Sequence, residues 1–207
     1  MKKKIAIAVT ALTLVASFVV GGSLAWLVDT TDGVTNTFTF GDINIELWEH
    51  VLNSDGLTLS DTETSEDQSG FKMIPGNTIE KDPTITVKED SEACWLFVKI
   101  VKSPNFDSFM TYELDSIWTN LETSDDGLTS VYYYNGTDLN SILSADKDFN
   151  ILANKKVTVN GSVTKETLTA DTFKSPTLTF TAYAVQRDAD IADIDTAAEA
   201  WALTSGN

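Results

Sequence analysis

The chain has 207 residues, 42% of them hydrophobic, with 31 Asp and Glu against 14 Lys and Arg and a formal charge of −17. A surface this acidic repels nucleic acid and anionic lipid headgroups, and it keeps an exported protein soluble. Cys94 is the only cysteine, so no intramolecular disulfide can form and stability must come from core packing or from assembly.

Met1-Lys2-Lys3-Lys4 is a basic start, Ile5 to Val20 is apolar, and Gly21-Gly22 breaks the run. Small residues at Ser23 and Ala25 then offer cleavage before Trp26, the pattern of a removable secretory signal. The apolar run is shorter than the roughly 20 residues a spanning helix needs, so a cleaved signal over residues 1–25 is expected rather than an anchor. The membrane is then a partner only through the uncleaved signal.

Residues 26–40 read as an N-terminal arm. Trp26 to Thr35 turns polar after three residues, and Asn36-Thr37-Phe38-Thr39-Phe40 alternates polar and aromatic side chains as a half-buried strand does. Ile43, Ile45 and Leu47 resume the alternation on the opposite parity, which predicts a bulge or turn near Gly41.

Residues 41–207 suit one domain with a full core. Asn53 to Gly70 is acidic and rich in Ser and Thr, predicting a mobile surface loop. Ile74-Pro75-Gly76-Asn77 is a Pro-Gly turn. Thr78 to Lys88 is strand-like, with Pro83 arguing for an edge position. Trp95 to Val101 is apolar on both alternating faces and predicts a central strand covered on both sides. Met110 to Leu114, Ile117-Trp118 and Thr129 to Tyr134 are further strand segments. Asn160-Gly161 predicts a type I′ hairpin between Lys156–Asn160 and Ser162–Lys165. Pro176 to Gln186 is a second long strand, with Leu178, Phe180, Ala182 and Ala184 on one face and Tyr183 and Val185 on the other. Two short helices are expected, at Asp138–Ala145 and at Thr196–Leu203, where Thr196 and Glu199 make a capping box. The sum is all-β: a jelly-roll-like β-sandwich with one or two short peripheral helices, preceded by a signal-peptide helix.

Catalytic patterns are missing. His50 is the only histidine, which leaves no HExxH pair and little for a His-centred triad. No glycine-rich phosphate loop is present. Asp188, Asp190, Asp193 and Asp195 lack the glycine and terminal glutamate of an EF-hand loop. Trp48, Trp95, Trp118 and Tyr132 to Tyr134 could form a glycan platform, although strand aromatics more often fill cores. The expectation is a protein that is not an enzyme and that carries no catalytic residues, metal or cofactor.

The succession GGSLAWLVDTTDGVTNTFTFGDINIEL resembles the start of the TasA/camelysin family of secreted proteins with a SipW-type signal peptide. Met73 to Asp82, MIPGNTIEKD, is similar to that family's Pro-Gly turn and following strand, with Pro75 and Gly76 at the turn. The likeness covers roughly the first half of the mature chain. It implies a jelly-roll subunit released by a SipW-type signal peptidase, with Ser23, Ala25 and Trp26 at the cut. It also implies a place in the extracellular matrix or at the cell surface of a Gram-positive bacterium, in biofilm fibres. Assembly would be head-to-tail by donor-strand complementation, with the chain itself as partner and other matrix proteins as further candidates. Asn36, Thr37, Phe38, Thr39 and Phe40 would be the donor strand. The alternatives are a camelysin-like cell-surface metallopeptidase, a monomeric carbohydrate-binding or adhesion module, and an Asn36–Leu47 segment that pairs within its own sandwich.

Overall fold

The computed structural model describes residues 28–30, 43–169, 173–189 and 192–204. Ser23, Ala25, Trp26 and Asn36 to Phe40 lie outside these residues, as do the expected signal helix and the bulge near Gly41.

The described chain is all-β with short helices. Its largest sheet has five strands in the order β1 (Val28–Thr30), β12 (Leu178–Gln186), β6 (Cys94–Lys102), β9 (Thr129–Tyr134) and β8 (Trp118–Thr123). A four-stranded sheet runs β10 (Lys147–Asn150), β5 (Thr84–Val87), β2 (Ile45–Leu52) and β3 (Leu59–Thr64), and a three-stranded one runs β4 (Thr78–Glu80), β11 (Leu152–Val159) and β7 (Met110–Leu114). A two-residue ladder joins β13 (Asp188–Ala189) to β14 (Ala192–Asp193). Every registered pairing among the described strands is antiparallel. The helices are α1 (Phe106–Phe109), α2 (Lys165–Thr169) and α3 (Ala197–Thr204).

The period-2 pattern explains the layering. On β6, Cys94, Leu96, Val98 and Ile100 point into a core shared with Ile45, Ile85, Phe149 and Val157 of the two smaller sheets. Trp95 and Phe97 point the other way, into a second cluster closed by Ala197, Ala200 and Trp201 of α3. β12 divides identically, with Phe180, Ala182 and Ala184 inward and Tyr183 and Val185 outward. The expected doubly covered central strand is therefore β6, and the nine-pair β6–β12 ladder is the middle of the fold. Helix α3 carries its capping box: Glu199 N–H donates to Thr196 Oγ1 at 3.2 Å, and Thr196 N–H donates to Glu199 Oε2 at 3.0 Å.

Four expectations need correction. Asp138–Ala145 is not helical, because its backbone is committed to the 90–94 segment: Leu139 O accepts from Cys94 N, and Leu143 exchanges bonds with Asp90 and Ser91. Asn160-Gly161 makes no type I′ hairpin. Neither residue has the positive φ that turn demands, and β11 is followed by α2 rather than by a strand. The acidic 53–70 stretch is not all loop, since β3 forms within it and pairs with β2. Pro83 is not on an edge strand; it separates β4 from β5, and β5 lies between β10 and β2.

Candidate functional site: an apolar cleft beside β2 and β12

A cleft of about 460 Å³ opens between β2, the 65–71 loop and the start of β12. One wall is the loop from Ser65 to Phe71, and the facing wall is Ser175 to Phe180 at the start of β12. Leu47, Met73, Phe106 and Leu178 supply much of its apolar lining. Among the described residues β1 covers only Tyr183 to Val185 of the outer edge of β12, and no strand is registered against that edge over Leu178 to Thr181. An apolar trough beside an unpaired strand edge is the geometry that accepts an added strand.

One charged pair stands inside. Lys81 Nζ donates to Glu49 Oε2 at 2.7 Å, with both side chains 14% exposed. The ammonium also lies 4.9 Å from the Phe71 ring centroid and 5.9 Å from that of Phe180, within reach of both π faces. The lysine stem thus ties the loop wall to the β12 wall.

The rim beyond β5 is built from side chains that stand in for a strand. β5 starts at Thr84, opposite Trp48, because Pro83 cannot continue the ladder. Past that point Asp82, which is buried, takes over: its Oδ1 accepts the His50 backbone N–H at 3.0 Å, and its Oδ2 lies 2.7 Å from His50 Nδ1. Lys155 Nζ approaches the same carboxylate at 3.7 Å from a backbone held at φ 51°. Next, Gln68 reaches in from the loop. Its Oε1 accepts the Leu52 N–H at 2.6 Å, and its Nε2 donates to His50 O at 2.9 Å. Gly56 anchors the loop's far end, where Lys72 N–H donates to Gly56 O at 2.8 Å.

Pro75 and Gly76 form the turn leading to β4. Gly76 has φ 77°, Asn77 N–H closes on Ile74 O at 3.0 Å, and Gly76 N–H donates to Val159 O at 3.0 Å. A positive φ at the third turn position is what glycine supplies. Val28–Thr30, within the expected arm, pairs in this chain with its own β12. Trp95, Trp118 and Tyr134 are buried, Tyr132 and Tyr133 pack against different clusters, and Trp48 stands on β2 of another sheet with its Nε1–H donating to Thr86 Oγ1 at 2.7 Å, so the expected aromatic set is divided between two sheets and both faces of the larger one. Among the described residues no group of three His, Cys, Asp or Glu is placed to hold a metal ion.

Sequence reasoning missed Asp82, Lys81, Glu49 and Gln68. Only Lys81-Asp82 left a trace, as charged residues ahead of a proline in an otherwise strand-like run. Comparison with protein-family models, curated proteins and solved structures returns no match.

Proposed function

We propose that this chain is a secreted jelly-roll subunit of extracellular matrix fibres, built head-to-tail by an extended N-terminal strand of one copy lying in the cleft of the next. The observation that carries this reading is the apolar cleft beside the Leu178–Thr181 edge of β12, against which no strand is registered among the described residues. An alternating strand bearing Phe38 and Phe40 matches it in chemistry. Continuing the antiparallel β1–β12 register would set a neighbour's Phe38 opposite Ser175, on the cleft wall. Each buried Phe would contribute about 1.5–3 kcal/mol, and each new backbone bond about 0.5–1.5 kcal/mol. The three-residue β1–β12 pairing within one chain is small enough for an equivalent strand from a neighbour to replace it. A heterologous contact of this kind propagates a filament instead of closing a dimer. The signal would be removed by a SipW-type peptidase, releasing the arm outside the cell.

The test is electron microscopy and sedimentation of the processed full chain beside its Phe38→Ser/Phe40→Ser variant. The expected result is filaments from the first and folded monomers from the second. Discrete wild-type particles at every concentration, or filaments indifferent to the two substitutions, would overturn the reading.

A further inference from the structure

Of the four tryptophans among the described residues, Trp95, Trp118 and Trp201 pack in the two apolar clusters, and Trp48 packs in neither. Its place follows from the pleat. Ile45 and Leu47 point to the core and Glu49 to the cleft, so Glu46, Trp48 and His50 line the opposite face of the four-stranded sheet. The registers set two polar rows on that face, Asp148–Thr86–Glu46 and Asn150–Thr84–Trp48. The indole reaches from its own row into the next, where Nε1–H donates to Thr86 Oγ1 at 2.7 Å, and His50 meets it edge-on with ring centroids 5.2 Å apart. Thr84 and Thr86 are buried although they stand on this outer face, and Trp48 itself stays partly exposed. Trp48 also borders the cleft, but its bond to Thr86 holds the indole on the outer face.

The polar groups beside this ring are only half used. Thr86 Oγ1 donates onward to Asp148 Oδ1 at 2.6 Å, and Thr84 Oγ1 lies 3.2 Å from Asn150 Oδ1. Among the described residues, Asp148 Oδ2 and Asn150 Nδ2 have no protein partner. Both side chains belong to β10, an edge strand of this sheet, two residues and about 7 Å apart. The one lysine beside them, Lys88, is taken by Glu46 at 2.8 Å and Asp146 at 3.3 Å, and His50 faces Asp82. An anion would therefore meet a free carboxylate and no free cation, on a chain of charge −17. A fixed, partly exposed indole beside one free acceptor and one free donor complements a neutral ring, apolar on its face and hydroxylated at its edge.

We propose that the outer face of β10, β5 and β2 binds a neutral glycan. A gluco-configured pyranose stacks its axial C–H bonds on Trp48, one equatorial hydroxyl donates to Asp148 Oδ2, and another accepts from Asn150 Nδ2. Thr86 is the positioning residue, since it holds the indole and the Asp148 carboxylate at once. The site stands apart from the fibre reading, because it uses the sheet face opposite Leu47 and Glu49.

The experiment is isothermal titration calorimetry of the processed full chain with cellohexaose and with chitin hexasaccharide, and with hyaluronan hexasaccharide as the anionic control. One site per chain is expected for at least one of the two neutral sugars and none for the anionic one. Trp48→Ala should weaken binding about tenfold or more, because the ring supplies the apolar half of the contact. Asp148→Ala and Asn150→Ala should each weaken it about threefold to tenfold, the worth of one net hydrogen bond. Trp201→Phe, on the other sheet, should bind as wild type does. Far-ultraviolet spectra and urea midpoints report that each variant is folded. No heat from the folded wild type with either neutral sugar, binding that survives Trp48→Ala, or equal binding of hyaluronan would overturn the site. Sedimentation altered by Trp48→Ala, without sugar binding by the wild type, would give the face to a second copy and overturn it as well.

Discussion

Replacing Asp82 with alanine tests how the β2 rim is held. The carboxylate is almost wholly buried, its side chain 4% exposed, and it accepts from the His50 backbone and faces the His50 ring. Without it the backbone N–H of His50 has no acceptor from β5, which stops at Thr84, and an unsatisfied buried donor costs about 1–3 kcal/mol. The ring, with a quarter of its side chain exposed, turns partly to water, so its loss is smaller, about 1 kcal/mol. Lys155 is half exposed and 3.7 Å away, and it adds less than about 1 kcal/mol. The expected total is about 2–4 kcal/mol, read as a fall in the urea midpoint at constant m-value. Asp82→Asn retains an acceptor for His50 N–H and should lose about half as much. A loss below about 0.5 kcal/mol for Asp82→Ala would refute the argument that this side chain replaces a strand.

Gly56→Ala should cost about 1–3 kcal/mol by urea titration, because Gly56 has φ 72° and an added Cβ would lie 2.8 Å from Gly70 O. The same change should expose the 65–72 loop to limited proteolysis. Cys94 is buried and its thiol is pushed up to about 12 by desolvation, with Arg187 opposing, so the native protein should resist iodoacetamide at mildly alkaline pH and react once unfolded. In the unfolded chain that thiol ionises from its ordinary value of 9.0, and in the folded chain it does not, so stability should decline as the pH rises past 9.0. On the acid side, Asp138 is held below the usual carboxylate range first by Lys147 and then by Tyr134, and Asp146 first by the Glu89 N–H and then by Lys88. Their contribution is complete above the ordinary value of 3.8 and is lost as the pH falls through the lower folded values, so the urea midpoint should be level near neutrality and drop below about pH 4.

Elements whose residues bury themselves by a simple period were legible. Trp95 to Val101 and Leu178 to Val185 alternate between two apolar clusters, and two clusters were there to receive them. The α3 capping box was legible because Thr196 and Glu199 bond to each other's backbone and need nothing distant. What failed depends on long-range partners. Asp138–Ala145 has helix-like composition, but segment 90–94 claims its carbonyls from across the core. Asn160-Gly161 has hairpin composition, but Val159 is held by Asn77 and Asn160 by Phe109, which fix the chain before the turn can choose its form. The cleft was illegible for the same reason. Its loop wall is an acidic run that reads as solvent-facing, and only Gln68, ordinary in sequence, folds back onto β2.

The β1–β12 pairing also constrains the order in which the molecule can form. A ribosome releases Val28–Thr30 long before Leu178–Gln186, and β6 likewise waits for its nine-residue mate. The middle of the fold therefore cannot close until nearly the whole polypeptide has emerged. Loop-closure entropy of that size makes maturation slow, on the millisecond-to-second scale of β-rich topologies. Throughout that interval Val28–Thr30 waits without β12.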